Sequence, residues 1–154
     1  MATNPSPQLR WARANRKVNS KPETLLRSVL HRRGFRFRKN YQVVVPGLVV
    51  RPDIVFVRLH VAVFVDGCFW HVCPMHGGQP RSNADYWALK LHRNMQRDRF
   101  VESRLIEAGW AVVRIWEHTQ ASEAVEIVAK AVAVARGETR DAAVEPERLS
   151  PINQ

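Results

Sequence analysis

Apolar and polar positions change period several times along the chain, and each change marks an element. In SKPETLLRSVLHRRG, residues 20 to 34, Leu25, Leu26, Val29 and Leu30 recur at helical spacing and form the expected buried stripe. Ser20 and Glu23 make a capping box, Pro22 suits a first turn and Gly34 supplies a stop, so a helix is predicted. FRFRKNYQVVV, residues 35 to 45, alternates as a strand does and runs into the turn pair Pro46-Gly47. Two short apolar runs, Pro52 to Val57 and Val61 to Val65, are rich in β-branched residues, and only Arg58, Leu59 and His60 separate them. They are predicted to pair antiparallel.

Residues 67 to 82 read as a loop. A helical stretch then runs from Asn83, a candidate cap, to about Ala108. Leu91, Met95, Val101 and Leu105 are set to face a core, while Trp87, Lys90, Asn94 and Arg97 follow a three-four spacing along another face. GWAVVRIW, Gly109 to Trp116, is predicted as a buried strand, and ASEAVEIVAKAVAVARG as a helix closing at Gly137. The order is helix, three strands, long helix, strand, helix. It fits an α/β sandwich around a mixed sheet, in which the long helix permits a parallel pairing.

A chain of 154 residues, 45% hydrophobic, is long enough for one continuous core and short for two. Residues 20 to 137 are read as that domain, with residues 1 to 19 a flexible arm and 138 to 154 a flexible tail. No run reaches the apolar length of a membrane span, and the N-terminal segment lacks the apolar centre of a secretory signal. An intracellular, cytoplasmic protein with no membrane partner is expected.

Charge changes the picture because of where it lies. Residues 1 to 40 hold eleven Lys and Arg against one acid, Glu23, which equals the net +10 of the whole chain. A basic arm of this kind, with Arg10, Trp11, Arg13, Arg16 and Lys17, is drawn to polyanions, and nucleic acid fits it better than a membrane surface. A solubilising tail is the plainer alternative.

Candidate chemistry gathers in DGCFWHVCPMH, Asp66 to His76. The two cysteines of the chain, Cys68 and Cys73, precede His76 in a C-x4-C-x2-H spacing that suits three ligands of a tetrahedral zinc site. His118, just past the last strand, is the candidate fourth ligand. Alternatively Cys68 is a small core residue and Cys73 a free thiol, or His71 replaces His76 as the ligand. Left outside the zinc set, His71 is a candidate to accept a proton from an attacking water. Phe69 and Trp70, joined by Trp87, are candidates to wedge between bases, or else belong to the core.

Asp53 opens one apolar run and Asp66 closes the next, so pairing of the two strands would bring both acids to one end of the sheet. Oxygen ligands there suit Mg²⁺, although acids at strand ends are also ordinary turn residues. Glu23 is explained by the capping box, and a carboxylate in a first turn can also face a metal-bound water.

SKPETLLRSVLHRRGFRFR, RPDIVF, VFVDGCFWHVC, ADYWALKLHRNMQRDR and GWAVVRIWEH together resemble the very-short-patch mismatch repair endonucleases, a branch of the PD-(D/E)XK restriction-endonuclease-like superfamily. The resemblance covers roughly residues 15 to 118. It implies a restriction-endonuclease-like core, a mixed sheet flanked by helices, with a structural zinc loop. It further implies that Asp53 is the Mg²⁺ carboxylate, that the backbone carbonyl of Val65 is a second metal ligand, that His71 is catalytic and that Glu23 assists through water. Cys68, Cys73, His76 and His118 would hold zinc, Phe69, Trp70 and Trp87 would enter the DNA stack, and Asn94 and the basic arm, including Arg16 and Lys17, would contact DNA.

The chain departs from the best-known form in two places. Asp66 stands where that form has His, which makes Asp66 a candidate second metal-binding acid and does not carry over the role of that His, and His118 stands where it has Cys. A Mg²⁺-dependent endonuclease nicking one strand of double-stranded DNA at a T:G mismatch is expected, acting as a monomer beside mismatch-repair proteins. Rival expectations are a nuclease of the same fold working in restriction or phage defence on paired DNA, and a zinc-stabilised DNA-binding module without hydrolysis.

Overall fold

A computed structural model describes residues 20–78 and 80–138 of the chain. The expected basic arm, with Arg16 and Lys17, and the expected tail apart from Glu138 lie outside the described residues. Helix α1 spans Lys21–Arg32, and its capping box forms as expected, with the Ser20 N–H donating to Glu23 Oε2 at 3.3 Å. At its other end Gly34, with φ of +87°, lets the Phe35 N–H reach the Leu30 carbonyl at 3.1 Å and its own N–H reach that of His31 at 3.0 Å.

Five strands follow: β1 Arg38–Lys39, β2 Val43–Val45, β3 Leu48–Val50, β4 Ile54–Phe56 and β5 Val61–Asp66. The single strand expected over residues 35 to 45 is two strands in two sheets. Asn40, with φ of 53°, turns the chain between them, as an Asn can at modest cost. β2 and β3 form a separate hairpin across Pro46-Gly47, pairing Val43 with Val50 and Val45 with Leu48.

Helix α2, Ala84–Glu107, leads to β6, Ala111–Trp116, and then to α3, Ala121–Arg136. The main sheet has the order β1-β4-β5-β6. As predicted, β4 and β5 pair antiparallel, Ile54 opposite Val63, and the α2 crossover brings β6 parallel to β5 from Val61↔Ala111 to Asp66↔Trp116.

Helices cover both faces of the sheet, so the alternation of β5 serves two cores. Val61 and Val63 join Leu26, Leu30, Ile54 and Phe56, with Val125 and Val128 of α3, in one apolar cluster. Ala62 and Phe64 face the other way, towards Val101 and Leu105 of α2 and the β2–β3 hairpin. That is why β5 reads as an unbroken apolar run rather than an alternating one. Two expectations of burial fail. Leu25 is 52% exposed, since α1 turns only Leu26 and Leu30 fully inward. β6 is the edge strand, and of its residues only Ile115 is buried.

Candidate active site and metal centre

Antiparallel pairing of β4 and β5 sets Asp53 and Asp66 at the same end of the sheet, as the spacing of the two runs predicts. The Asp53 N–H donates to the Val63 carbonyl at 3.0 Å, and its Oδ2 accepts the Val65 N–H at 2.8 Å. Its carboxylate is thereby locked onto the last turn of β5 although the residue is only 8% exposed. Val65 also lines a cleft of about 300 Å³ with Pro22, Leu25 and Leu26 of α1, Trp116, and the start of α3. Glu23 lies buried on α1, paired with Arg27 and with the Ser20 N–H.

β5 runs straight into the loop. Its first turns are tied down by backbone hydrogen bonds, His71 N–H to the Gly67 carbonyl at 3.1 Å and Cys73 N–H to that of Cys68 at 2.9 Å. Glu117, beyond β6, accepts the Cys68 N–H at 2.8 Å, while its own N–H donates to the Asp66 carbonyl at 2.9 Å. The parallel pairing of β5 and β6 thus delivers residues 66 to 68 and 117 to 118 side by side.

Consequently the ligand atoms of Cys68, Cys73, His76 and His118 all lie within 4.8 Å of one another. His118 Nδ1 is 3.0 Å from Cys68 Sγ and 3.8 Å from Cys73 Sγ; His76 Nδ1 is 4.0 and 3.8 Å from the same two sulfurs. A tetrahedral ion with bonds of about 2.3 Å to sulfur and about 2.0 Å to nitrogen sets S···N at about 3.5 Å, so the four side chains fit one metal. The cluster contains the three residues the spacing singled out together with His118, the candidate fourth ligand. It is a Cys2His2 site able to hold a metal.

Electrostatics differ at the two sulfurs. Without metal, burial, together with the hydrogen bond and charge of Cys73, pushes the Cys68 thiol up to about 11. Burial also acts to raise Cys73, but the N–H groups of Met75 and His76 point at its sulfur and, with the His76 and Cys68 side chains, hold it below its ordinary value. The turn is tight enough to need Gly77, whose N–H meets the Cys73 carbonyl at 2.7 Å and where a Cβ would fall 2.5 Å from that oxygen.

His71 leaves this cluster through Val72, whose φ of 55° is rare for a β-branched residue. Its ring reaches the α2 face of the sheet. There Nδ1 hydrogen-bonds Asp98 Oδ2, and Nε2 stands 3.8 Å from Asp66 Oδ1. Arg114 of β6 completes the group, its Nη1 donating to both Asp66 oxygens at 2.9 and 2.7 Å. Burial opposes ionisation of Asp98, yet the hydrogen bond and charge of His71, with the charges of Arg114 and Arg97, hold its carboxyl below the usual range.

Sequence reasoning missed Asp98 and Arg114. A signal existed for each: Asp98 lies one helical turn beyond Asn94, and Arg114 is a charge inside an apolar strand.

Around the loop tip, Phe69, Trp70 and Trp87 come together as expected, with ring centroids 5.2 to 6.0 Å apart. All three are half-buried, and Lys90 Nζ lies 5.2 Å from the centroids of both Trp70 and Trp87. Asn94 Nδ2 donates to the Trp70 carbonyl at 3.3 Å, so it fastens the loop to α2. Among the described residues no helix is long and apolar enough to cross a membrane.

An end of a mixed sheet carrying acids and an imidazole, flanked by a metal cluster and a group of rings, has the makings of a phosphodiester-cleaving enzyme. Residues 4–76 match the family model described as DNA mismatch endonuclease Vsr. The type II nicking enzyme V.NaeI of Lentzea aerocolonigenes is 53% identical over 116 residues, which cover 75% of this chain and 70% of that protein. The type II nicking enzyme V.XorIIP of Xanthomonas oryzae pv. oryzae is 42% identical over 103 residues, 66% of this chain and 73% of that one. The DNA mismatch endonuclease Vsr of Escherichia coli K12 is 36% identical over 96 residues, 62% of this chain and 59% of its own. The chain belongs to the Vsr family of endonucleases. It is a DNA endonuclease, with DNA as its substrate.

Proposed function

We propose that the protein nicks one strand of double-stranded DNA at a T:G mismatch in very short patch repair, with Mg²⁺ at the Asp53 end of the sheet and structural zinc in the Cys2His2 cluster. The observation that carries this reading is the seating of His71. It stands between Asp98 and Asp66, at the end of the strand that anchors Asp53 and two residues from a zinc-type ligand.

The donors suit the two ions differently. Thiolates and imidazoles favour zinc, whereas the carboxylate of Asp53 and the carbonyl of Val65 are hard oxygens of the kind Mg²⁺ takes. Bound there, Mg²⁺ supplies neutralisation of phosphate charge and acidification of water.

The side chains do the rest. His71 takes the proton of the attacking water, Asp98 orients the ring through Nδ1, and Asp66 is the second acid beside Nε2. Glu23 assists through water from α1. The water oxygen bonds to phosphorus as the bond to the 3′ oxygen breaks, and that oxygen takes a proton from solvent, leaving a 3′-hydroxyl and a 5′-phosphate. Phe69, Trp70 and Trp87 enter the base stack beside the mismatch, where unpaired bases unstack most cheaply. Asn94 and the arm with Arg16 and Lys17 contact the DNA, as a monomer suffices to do.

A second reading is nicking of fully paired DNA in restriction or phage defence: V.NaeI, at 53% identity, is named a type II nicking enzyme without mention of a mismatch, whereas the relative named a mismatch endonuclease is 36% identical. One assay decides between them. Mg²⁺-dependent cleavage of duplexes carrying T:G, other mismatches or none is expected on one strand of the T:G duplex alone. It is expected to vanish in Asp53→Ala with DNA binding retained. Equal cleavage of the paired duplex would replace mismatch repair by the restriction reading, and an active Asp53→Ala protein would remove the assigned metal site.

A further inference from the structure

β6 needs no charge for packing. Its neighbours Val113 and Ile115 join the core under α1 and α3, yet Arg114 alternates to the other face, opposite Phe64 of β5, with its guanidinium carbon 5.0 Å from the Phe64 ring centroid. From there one guanidinium reaches three carboxylates on two elements. Nη1 grips both oxygens of Asp66, Nη2 is 3.7 Å from Asp98 Oδ1, and Nε is 3.6 Å from Glu102 Oε2. Asp66 and Asp98 are also the two acids that face the two nitrogens of His71.

The geometry is that of a clamp. An Arg fork fixes direction as well as charge, because its planar donors meet carboxylates at set angles. Asp66 arrives on β5 and Asp98 on α2, 32 positions later in the chain, and no backbone pairing joins those two elements. Arg114 bridges them on one side, as the His71 ring does on the other. Arg97 reaches the same Asp98 oxygen at 3.6 Å but is more exposed and, among the described residues, makes no ion pair with Asp66.

We propose that Arg114 is a positioning residue for nicking: by gripping Asp66 and Asp98 together it fixes the gap in which the His71 ring stands, and so holds the imidazole in one orientation. The proposal rests on the reading that His71 carries the proton transfer. Arg114 acts through the two carboxylates and touches neither water nor phosphate.

The test uses the full-length, zinc-loaded protein with Arg114→Met, Arg114→Lys and His71→Ala variants. Small displacements of a catalytic group cost about 100-fold in rate. Arg114→Met is therefore expected to lower kcat for T:G nicking by about 10- to 100-fold while KM for DNA stays within about twofold. The ¹⁵N signals of the His71 ring are expected to change from a single tautomer, with the proton on Nδ1 facing Asp98, to an average of two. Arg114→Lys, which keeps one donor for Asp66, is expected to recover part of the rate and part of the tautomer signal. If Arg114→Met does not fold, Arg114→Lys decides by the same two readouts. An unchanged kcat and unchanged ring signals at equal folded fraction would overturn the proposal, as would a loss confined to thermal stability. If His71→Ala nicks like the wild type, the reading of His71 itself fails. If His71→Ala is inactive while both Arg114 variants behave as wild type, only the clamp fails.

Discussion

On the face of the sheet covered by α1 and α3, apolar side chains from Leu26 to Val132 form one layer. On the face covered by α2, apolar packing runs from Val43 through Leu105 to Phe64 and then gives way to Asp66, Asp98, Arg114 and His71. Both faces use the same strand, since β5 sends Val61 and Val63 one way and Ala62, Phe64 and Asp66 the other. The first face gains about 25 cal/mol for each Å² of apolar surface removed from water. The second forgoes that gain at its end. Charges in a poorly solvated site interact strongly, but only a fully paired set is tolerated there. One face is built to stay folded and the other to hold chemistry in register.

The contrast can be broken at three points. The largest effect is expected from Cys73→Ser, which takes a sulfur out of the Cys2His2 cluster. Elemental analysis should show less than one tightly held zinc per chain and nicking should be lost, while far-ultraviolet circular dichroism keeps the helical signal of α1 and α3. Full zinc content with full activity would show that the loop does not depend on the metal. On the other face, Leu30→Ala removes a side chain with no exposed surface and should cost about 2 to 5 kcal/mol in urea unfolding. The nicking rate per folded molecule should stay as in the wild type; a matching loss of rate would mean that the two faces are not independent.

The smallest effect concerns acid stability. Because the fold holds the Asp98 carboxyl below its ordinary value of 3.8, the unfolded chain takes up the proton first as pH falls. Its stabilising contribution is therefore whole above the ordinary value and is lost as pH drops through the lowered one. Asp98→Asn should flatten the fall of the urea midpoint across that acid range, leaving the neutral-pH slope alone. An acid limb as steep as that of the wild type would mean that Asp98 is not held ionised by its neighbours.

What could be read in the chain beforehand follows from which forces are local. Capping chemistry at Ser20 and Glu23, the stops at Gly34 and Gly137, and the apolar period of α2 are written within a few residues, and these elements formed where expected. The C-x4-C-x2-H spacing is local too. His118 joined it through the parallel pairing of β5 and β6, which the helical crossover already suggested.

What was hidden depends on distance in the chain or on one residue's backbone. Asp98 is 27 positions from His71 and Arg114 is 48 from Asp66, so nothing near either acid announces its partner. The break at Asn40 turns on a positive φ in a stretch whose alternation favours a strand throughout. Asn83 stands at the N-cap of α2 as expected, yet its side chain makes no capping bond because its backbone is left-handed. Periodicity also marked Leu25 and β6 as buried, since it reports which side a residue faces and not whether anything covers that side.

Val72 joins the two halves of the site by a single residue. Branched at Cβ and wound left-handed, it holds a conformation that its own sterics disfavour, so the packing on both sides of it must keep the ring and the neighbouring sulfur where they are. Were the Cys73 side to give way, Val72 would be free to relax towards the extended region, and the imidazole of His71 would shift with it.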